Sequence, residues 1–205
     1  VHLMHGKIRV VSTPGEGSRF IVTLPVVKAA GDVLDAAPDN DHKELDLSHA
    51  MILVAEDNDI NRAVMEAMLA DSNEEWTKSD SFYEIATGLT TKPAGVLNNW
   101  GYSKLTRGDY ADAERLFTDA VRQDPKLFTA KNNLVLARGA QRNYALPVIP
   151  MDQKERAQLL HTMGLTAVKQ GDVQTGKSLL RDAIETHPQH FEAAVRSLSA
   201  LENNG

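Results

Sequence analysis

The sequence predicts a mainly α-helical protein: an α-solenoid of stacked helix pairs, preceded by a small incomplete α/β segment. The chain contains two similar stretches, WGYSKLTRGDYADAERLFTDAVRQDP at Trp100–Pro125 and MGLTAVKQGDVQTGKSLLRDAIETHP at Met163–Pro188. From residue 75 onwards, apolar residues recur at helical spacing. A unit repeated at this length is typical of stacked supersecondary structures, which bind other proteins rather than catalyse reactions.

The first segment predicts a β-hairpin, because IRVVS and RFIVTL are β-branched runs separated by the turn-rich TPGEGS. The stretch LMHGKIRVVSTPGEGSRFIVTLPV resembles the end of the ATP-binding domain of sensor histidine kinases. That resemblance implies that Gly15, Gly17 and Ser18 are a remnant of the last glycine-rich box, where glycines let the backbone approach phosphate. The phosphoacceptor histidine and the helix that holds Mg-ATP have no counterpart, so we expect no kinase activity.

A strand followed by a helix is predicted at Met51–Asp71, MILVAEDNDINRAVMEAMLAD. The apolar run Met51–Ala55 is the strand, and Asn58 or Asp59 is a suitable N-cap for the helix. The apolar residues at helical spacing are Ile60, Val64, Met65, Met68 and Leu69.

This strand and helix resemble the start of a response-regulator receiver domain, as found in hybrid histidine kinases. The resemblance implies that Glu56 and Asp57 are the remnant of a Mg²⁺ site, because carboxylate oxygens suit that ion. The phosphoacceptor aspartate and the later lysine of a receiver domain have no counterpart in the sequence. We therefore expect no phosphotransfer.

The composition predicts a chimeric domain organisation with a junction near residues 70–75. The predicted segments are a kinase-tail fragment at 1–27, an acidic linker at 28–48, a receiver fragment at 49–71 and a repeat domain at 75–203. An isolated hairpin is marginal in water, and a strand such as MILVA needs neighbours on both faces. Residues 1–71 are therefore expected to be loosely folded, packed on the repeats or ordered by a partner.

The repeat domain starts with a short helix that Ser79 or Asp80 is expected to cap and Gly88 to end. Its predicted apolar residues are Phe82, Tyr83, Ile85 and Ala86. Residues 94–127 then match one full tetratricopeptide repeat, a unit of about 34 residues. In that repeat Gly101 allows close helix approach, Gly108 makes the turn and Phe117 is the large packing residue.

The middle unit is expected to be incomplete. Its first helix runs from Phe128 to about Ala140, but Pro147 and Pro150 disfavour a second helix. The two similar stretches end at Pro125 and Pro188. The distance in sequence between these prolines is about five residues shorter than two intact repeats would give. A third unit follows at 157–189, and a final helix at 191–201 is expected to cap the stack.

Residues 76–202 resemble the tetratricopeptide proteins of tight-adherence (Flp) pilus assembly, of the TadD type. The resemblance rests on NNWGYSKLTRGDYADAERLF, NNLVLARGAQRNYALPVIP and LLHTMGLTAVKQGDVQTGKSLL, and the proline-flanked break is its more specific part. It implies a scaffold in pilus or secretion-system assembly. Relatives are exported lipoproteins, but no leader follows Val1 and the chain has no cysteine, so the sequence predicts a cytoplasmic location.

The first helices of such repeats line a concave groove, and the resemblance assigns the positions that face it. They are Asn98, Tyr102, Leu105 and Thr106 in the first unit, Asn132, Leu136, Gly139 and Ala140 in the second, and His161, Leu165, Val168 and Lys169 in the third. The amides of Asn98 and Asn132 suit an extended peptide backbone. Three alternatives stay open: the asparagines solvate an exposed face, the stack docks a helix of its own assembly, or the N-terminal segment covers the groove.

Composition limits the other functions. Residues 1–71 hold 12 acidic and 6 basic residues, and the remainder holds 16 of each, so we expect no nucleic-acid partner. No apolar run reaches the length of a membrane span. His187 and His190 are close in the sequence but lack a third ligand nearby.

Two functional hypotheses follow. We expect a non-enzymatic scaffold that binds a protein or peptide without a cofactor, in an oligomeric state that the sequence does not fix. The alternative is a two-component signalling module with residual nucleotide or Mg²⁺ binding.

Overall fold

The computed structural model describes residues 7–13, 17–23 and 56–203, and the chain divides into two units, Val1–Ile52 and Leu53–Gly205. In the first unit, strands β1 (Lys7–Thr13) and β2 (Gly17–Thr23) pair antiparallel, with Thr13 opposite Gly17. The predicted hairpin is confirmed. Gly15 and the predicted strand at 51–55 lie outside the described residues.

The second unit is an array of helices in which consecutive helices pack on each other. Its described helices are α1 (Asp59–Ser72), α2 (Trp76–Gly88), α3 (Ala94–Thr106), α4 (Tyr110–Gln123), α5 (Phe128–Ala140), α6 (Gln153–Lys169), α7 (Val173–Thr186) and α8 (Glu192–Asn203). The mainly α-helical fold with stacked repeats is therefore confirmed. We call α1, α3, α5 and α6 the first helices of their units.

Helix α1 begins at the predicted cap. The Asn58 side chain accepts hydrogen bonds from the backbone N–H groups of Ile60 and Asn61, at 2.9 and 3.1 Å. These bonds satisfy two donors that have no partner within the first turn of a helix.

The buried face of α1 differs from the predicted one. Met65 and Met68 are 40% and 56% exposed, whereas the buried residues are Ala63, Ala67 and Ala70. The alanines let α1 approach α2 closely, because only small side chains fit where two helices nearly touch. The two methionines are left exposed outside this close helix contact.

Helix α2 begins at Trp76, earlier than predicted, so the prediction of a cap at Ser79 or Asp80 is wrong. Ser79 is fully buried within the helix, and its hydroxyl finds no partner among the described residues. Asp80 instead binds side chains of α3 and of the following turn. The helix starts early because a tight turn at Asn73 and Glu74 follows α1 directly.

All four first helices end in the same turn. The residue after each C-cap has a positive φ: 58° at Glu74, 85° at Gly108, 58° at Arg142 and 87° at Gly171. In each turn the next N–H donates to a carbonyl in the last turn of the helix, over 2.8 to 3.0 Å. The donor–acceptor pairs are Glu75 with Ala70, Asp109 with Lys104, Asn143 with Arg138, and Asp172 with Ala167.

The spacing of these turns shows that the repeat begins at α1. Positions 74, 108 and 142 are separated by one full repeat length each, and position 171 follows after a shorter interval. Tyr83 in α2 accordingly holds the place of Phe117 in α4, and both rings are buried. The predicted junction near residues 70–75 thus falls inside a helix pair whose members share one buried cluster.

The middle unit lacks a second helix, as predicted. Residues 141–152 form no helix, and Leu146, Ile149 and Met151 pack from this segment against the core. Its start is held by Arg142, which donates to the Asp172 carboxylate at 2.8 Å. The shortening of the repeat therefore lies between the turns at Arg142 and Gly171.

The helix contacts at the two similar stretches are as expected. A Cβ atom on Gly101 would lie 2.7 Å from the Phe117 ring, and one on Gly164 would lie 3.0 Å from Leu180. Helix α8 covers the last unit through Ala194, which is fully buried.

Candidate functional site

A cavity of about 440 Å³ lies between the first helices α1, α3 and α5. Ten residues from these helices and from α2 line it: Met68, Asp71, Tyr83, Asn98, Asn99, Tyr102, Ser103, Thr106, Thr129 and Asn133. The lining combines amides and hydroxyls with one carboxylate and two tyrosine rings. It includes no lysine, arginine or histidine.

One end of the cavity is fixed by the Asp71 carboxylate. Its Oδ1 accepts a hydrogen bond from the Ser103 hydroxyl at 2.8 Å, which joins α1 to α3. Its Oδ2 accepts a longer bond of 3.4 Å from the Tyr83 hydroxyl. Burial, reinforced by the Asp71 charge, raises the pKa of Tyr83 well above its ordinary value, so the phenol stays protonated and remains a donor.

The other end of the cavity is fixed by an amide pair. Asn133 of α5 donates to the side-chain oxygen of Asn98 of α3 at 3.0 Å. Asn99 is exposed beside this pair, and its side chain has no hydrogen-bond partner among the described residues. Tyr102, which also lines the cavity, is 53% exposed. The cavity therefore offers unpaired polar groups, and the helices that form it are already joined by hydrogen bonds.

The basic side chains at the end of α3 form ion pairs with Asp80, which does not line this cavity. Lys104 binds the Asp80 carboxylate at 3.0 Å, Arg107 binds it at 2.6 Å, and the Trp100 indole donates to it at 2.7 Å. Burial raises the pKa of Asp80, but these hydrogen bonds outweigh it and leave the pKa below its ordinary value. Asp71 has no ion pair with any described residue.

The first unit places three of its four predicted groove residues at the cavity. Asn98, Tyr102 and Thr106 line it. Leu105 is half-buried and packs against the cluster around Phe117 instead.

The second unit presents a different face from the predicted one. Asn132 accepts a hydrogen bond of 2.8 Å from Thr162 of α6, and the neighbouring Asn133 reaches the cavity instead. Gly139 is closed off, because a Cβ atom there would lie 2.5 Å from Thr166. Leu136 and Ala140 are half-buried and do not line the cavity.

The residues predicted in the third unit lie apart from the cavity lining. His161 contacts α8, with its Nε2 3.2 Å from the Ser197 hydroxyl and its ring 5.3 Å from that of Phe191. Burial lowers the pKa of His161. Leu165 and Lys169 are exposed, and Val168 is half-buried.

The predicted signalling remnants are only partly within the described residues. Glu56 accepts hydrogen bonds from the Asn58 backbone at 3.0 Å and from the Asn61 side chain at 3.4 Å, so its carboxylate supports the start of α1. Asp57 is exposed. Gly17 and Ser18 form the start of β2. In the part of the chain that the structure describes, no three His, Cys, Asp or Glu side chains are grouped to hold a metal ion.

Sequence reasoning missed seven of the lining residues: Met68, Asp71, Tyr83, Asn99, Ser103, Thr129 and Asn133. Met68 and Asp71 were assigned to a separate fragment, and the others do not occupy the groove positions assigned by resemblance. One signal was available, since EEWTKSDSFYEIA at 74–86 aligns with GDYADAERLFTDA at 108–120 after a shift of one repeat length.

Comparison with protein families agrees with part of these repeats. Residues 98–146 match the model of a family described as the tetratricopeptide repeat. This range spans most of α3, all of α4 and α5, and the first residues after α5. No curated protein matches the chain. Among solved structures, the N-terminal domain of stress-induced protein-1 (STI-1) from C. elegans is similar, with 15% identity, 72% of this chain and 99% of that chain covered, and a TM-score of 0.34.

Within residues 98–146 the helices therefore form tetratricopeptide-type repeats, a class of structure that typically acts as a non-enzymatic scaffold for protein interactions. None of the described helices combines the length and the apolar character that crossing a membrane requires.

Proposed function

We propose that this protein is a non-enzymatic scaffold that binds an extended segment of a partner protein in the cavity between α1, α3 and α5. The observation that carries the proposal is a concave cavity of about 440 Å³ whose free polar groups are mostly amides and hydroxyls. This volume is in the range of about 300–1,000 Å³ that is typical of ligand pockets.

The lining fits the chemistry of a peptide backbone. An extended peptide carries N–H donors and C=O acceptors along its length, and an asparagine side chain offers both a donor and an acceptor. Asn99 and the free amide hydrogens of Asn98 supply such groups, and Thr129 supplies a hydroxyl. The Thr106 hydroxyl donates to the Ser103 carbonyl at 2.9 Å and can only accept a hydrogen bond from the peptide. The exposed Tyr102 ring offers an apolar surface for one side chain of the peptide.

The walls of the cavity are preorganised. The Asp71–Ser103 bond fixes α1 against α3, and the Asn98–Asn133 bond fixes α3 against α5. A binding site that is held open before the ligand arrives loses less conformational entropy on binding.

A displayed library of random octapeptides tests the proposal, with selected peptides measured against three proteins. Tyr102→Ala is expected to weaken binding about tenfold, because a partly buried aromatic contact contributes on the order of 1 kcal/mol. Tyr110→Ala on α4 is the matched control, since Tyr110 is also exposed but does not line the cavity. If the selected peptides bind both variants as they bind the unchanged protein, the groove is not their site.

The setting that we propose is pilus or secretion-system assembly, supported by the resemblance of residues 76–202 to TadD-type proteins. The test is whether the chain restores pilus assembly in a bacterium that lacks its TadD-type protein. If the protein is stably produced there but does not restore pilus assembly, the proposed role in pilus assembly is contradicted, whereas the proposed peptide binding is not.

A further inference from the structure

We propose that the cavity selects a partner peptide by receiving one of its lysine or arginine side chains, with Asp71 as the opposite charge. This inference rests on the proposed peptide-binding function and adds the chemistry of the partner. Three observations support it: the Asp71 carboxylate has unused hydrogen-bond acceptors, two helix C-termini lie beside it, and exposed apolar side chains line the same cavity.

The Asp71 carboxylate has acceptor capacity to spare. An ionised carboxylate accepts about four hydrogen bonds, whereas Asp71 receives one from Ser103 and one from Tyr83. Both donors are neutral hydroxyls, so the charge stays uncompensated by any described cation. A guanidinium or ammonium group satisfies the remaining lone pairs and the charge together.

The surrounding helix ends add to the negative potential. Asp71 lies in the last turn of α1, and that turn carries no basic residue. Ser103 and Thr106 lie in the last turn of α3, so two helix C-termini meet at this end of the cavity. Each C-terminus carries roughly half a negative charge, which favours a cation and disfavours a second anion.

The cations nearest in sequence to Ser103 and Thr106 do not compete for this position. Lys104 and Arg107, on the last turn of α3 and just beyond it, bind Asp80. Arg107 also lies over the Trp76 ring, 5.5 Å from its centroid. Both side chains are thus held by other partners.

The cavity also has surfaces for the stem of a long basic side chain. Met68 is 56% exposed and Tyr102 is 53% exposed along the lining that includes Asp71. The methylene groups of lysine or arginine pack well on such apolar surfaces while the charged end reaches a carboxylate. A guanidinium group is also attracted to the face of a tyrosine ring.

The experiment compares two degenerate heptapeptide pools, XXX-Arg-XXX and XXX-citrulline-XXX, where X is an equal mixture of the residues other than lysine and arginine. Citrulline has nearly the shape of arginine but carries a carbonyl oxygen in place of one NH2 group, so the two pools differ by one charge and one donor group at a single position. At low ionic strength we expect the arginine pool to bind about tenfold more tightly. The preference should shrink as salt is added, because the charge contact is partly open to solvent.

Asp71→Asn is expected to bring the two pools to equal affinity. Asp182→Asn on α7 makes the same charge change outside the cavity and should keep the preference. The asparagine keeps one side-chain acceptor, and thermal unfolding of both variants checks that the array is intact. The salt series on the unchanged protein tests the charge contact without any substitution.

Two results would count against the proposals in different ways. Equal binding of the two pools to the unchanged protein at the cavity overturns the cation preference and leaves the peptide groove standing. No binding of either pool, with no NMR shift at Tyr102 or Asn99, overturns the groove as well.

Discussion

Ser79 of α2 occupies the position that Ala113 holds in α4, one repeat later, and both side chains are fully buried. The methyl group of Ala113 needs no polar partner there, whereas the Ser79 hydroxyl has none among the described residues. A buried hydroxyl without a partner costs on the order of 1–3 kcal/mol.

Ser79→Ala is therefore expected to raise the free energy of unfolding by about 1 kcal/mol. Ser103→Ala is the matched control, because the Ser103 hydroxyl is also buried but donates to Asp71. That variant should lower the free energy of unfolding by about 1 kcal/mol. Urea unfolding measures both, and a loss of stability in Ser79→Ala would show that its hydroxyl has a partner.

Glu74→Gly is expected to stabilise the protein by about 1 kcal/mol, since a non-glycine residue at positive φ is strained. Glu74 has φ 58° at the position where the units at α3 and α6 place Gly108 and Gly171. Gly108→Ala, the reverse change, should lower stability by a similar amount. Denaturant unfolding measures the stability of both variants. If both substitutions changed stability in the same direction, the two positions would not share one turn geometry.

Gly139→Ala is expected to destabilise the array by about 1–3 kcal/mol, because its Cβ atom would lie 2.5 Å from a methyl group of Thr166. Thr166 is β-branched and on α6, so it has little freedom to move aside. Gly95→Ala serves as the control, since a Cβ atom there meets nothing within 4 Å. The Gly95→Ala variant should be as stable as the unchanged protein or more stable by up to about 1 kcal/mol. If the two variants unfolded at the same temperature, α5 and α6 would be able to move apart to accommodate the added methyl group.

Stability is expected to fall as the pH drops below about 6.5, because burial lowers the pKa of His161 in the folded state from that ordinary value. Between the unfolded pKa and the lower folded one, the unfolded chain binds the additional proton. The stability present above about pH 6.5 is therefore lost progressively towards the folded pKa.

His161→Gln should flatten this dependence when unfolding is measured from about pH 8 to about pH 5. The exposed His190→Gln is the control and should keep the slope of the unchanged protein. An unchanged slope in His161→Gln would show that the contact with Ser197 and Phe191 tolerates the charged ring.

Limited proteolysis followed by intact-mass analysis is expected to leave a resistant core that includes α1. The reason is that α1 buries Ala63 and Ala67 against α2 and ends in the turn shared by the other units. A core that begins near Glu75 would contradict this and would restore the domain boundary expected from the sequence.

The sequence alone was sufficient for features that are local. Gly108 marks a turn at positive φ, Gly101 marks a close helix contact, and the two prolines of LPVIPM mark the missing helix. Each of these follows from the backbone limits of glycine or proline, which act over a short stretch of chain whatever surrounds them. The hairpin and the cap at Asn58 were predictable for the same reason.

Tertiary packing decided the rest. Helix α1 joins the repeats through an alanine face that has no distinctive pattern, and its turn places Glu74 where a glycine would have been recognised. On α5, Asn133 rather than Asn132 reaches the cavity because Thr162 binds Asn132 from α6. Neighbouring residues on a helix point about 100° apart, so the rotation set by packing determines which asparagine faces a ligand. That rotation depends on helices far apart in the sequence, and it is why the contribution of α5 to the cavity emerged only from the tertiary structure.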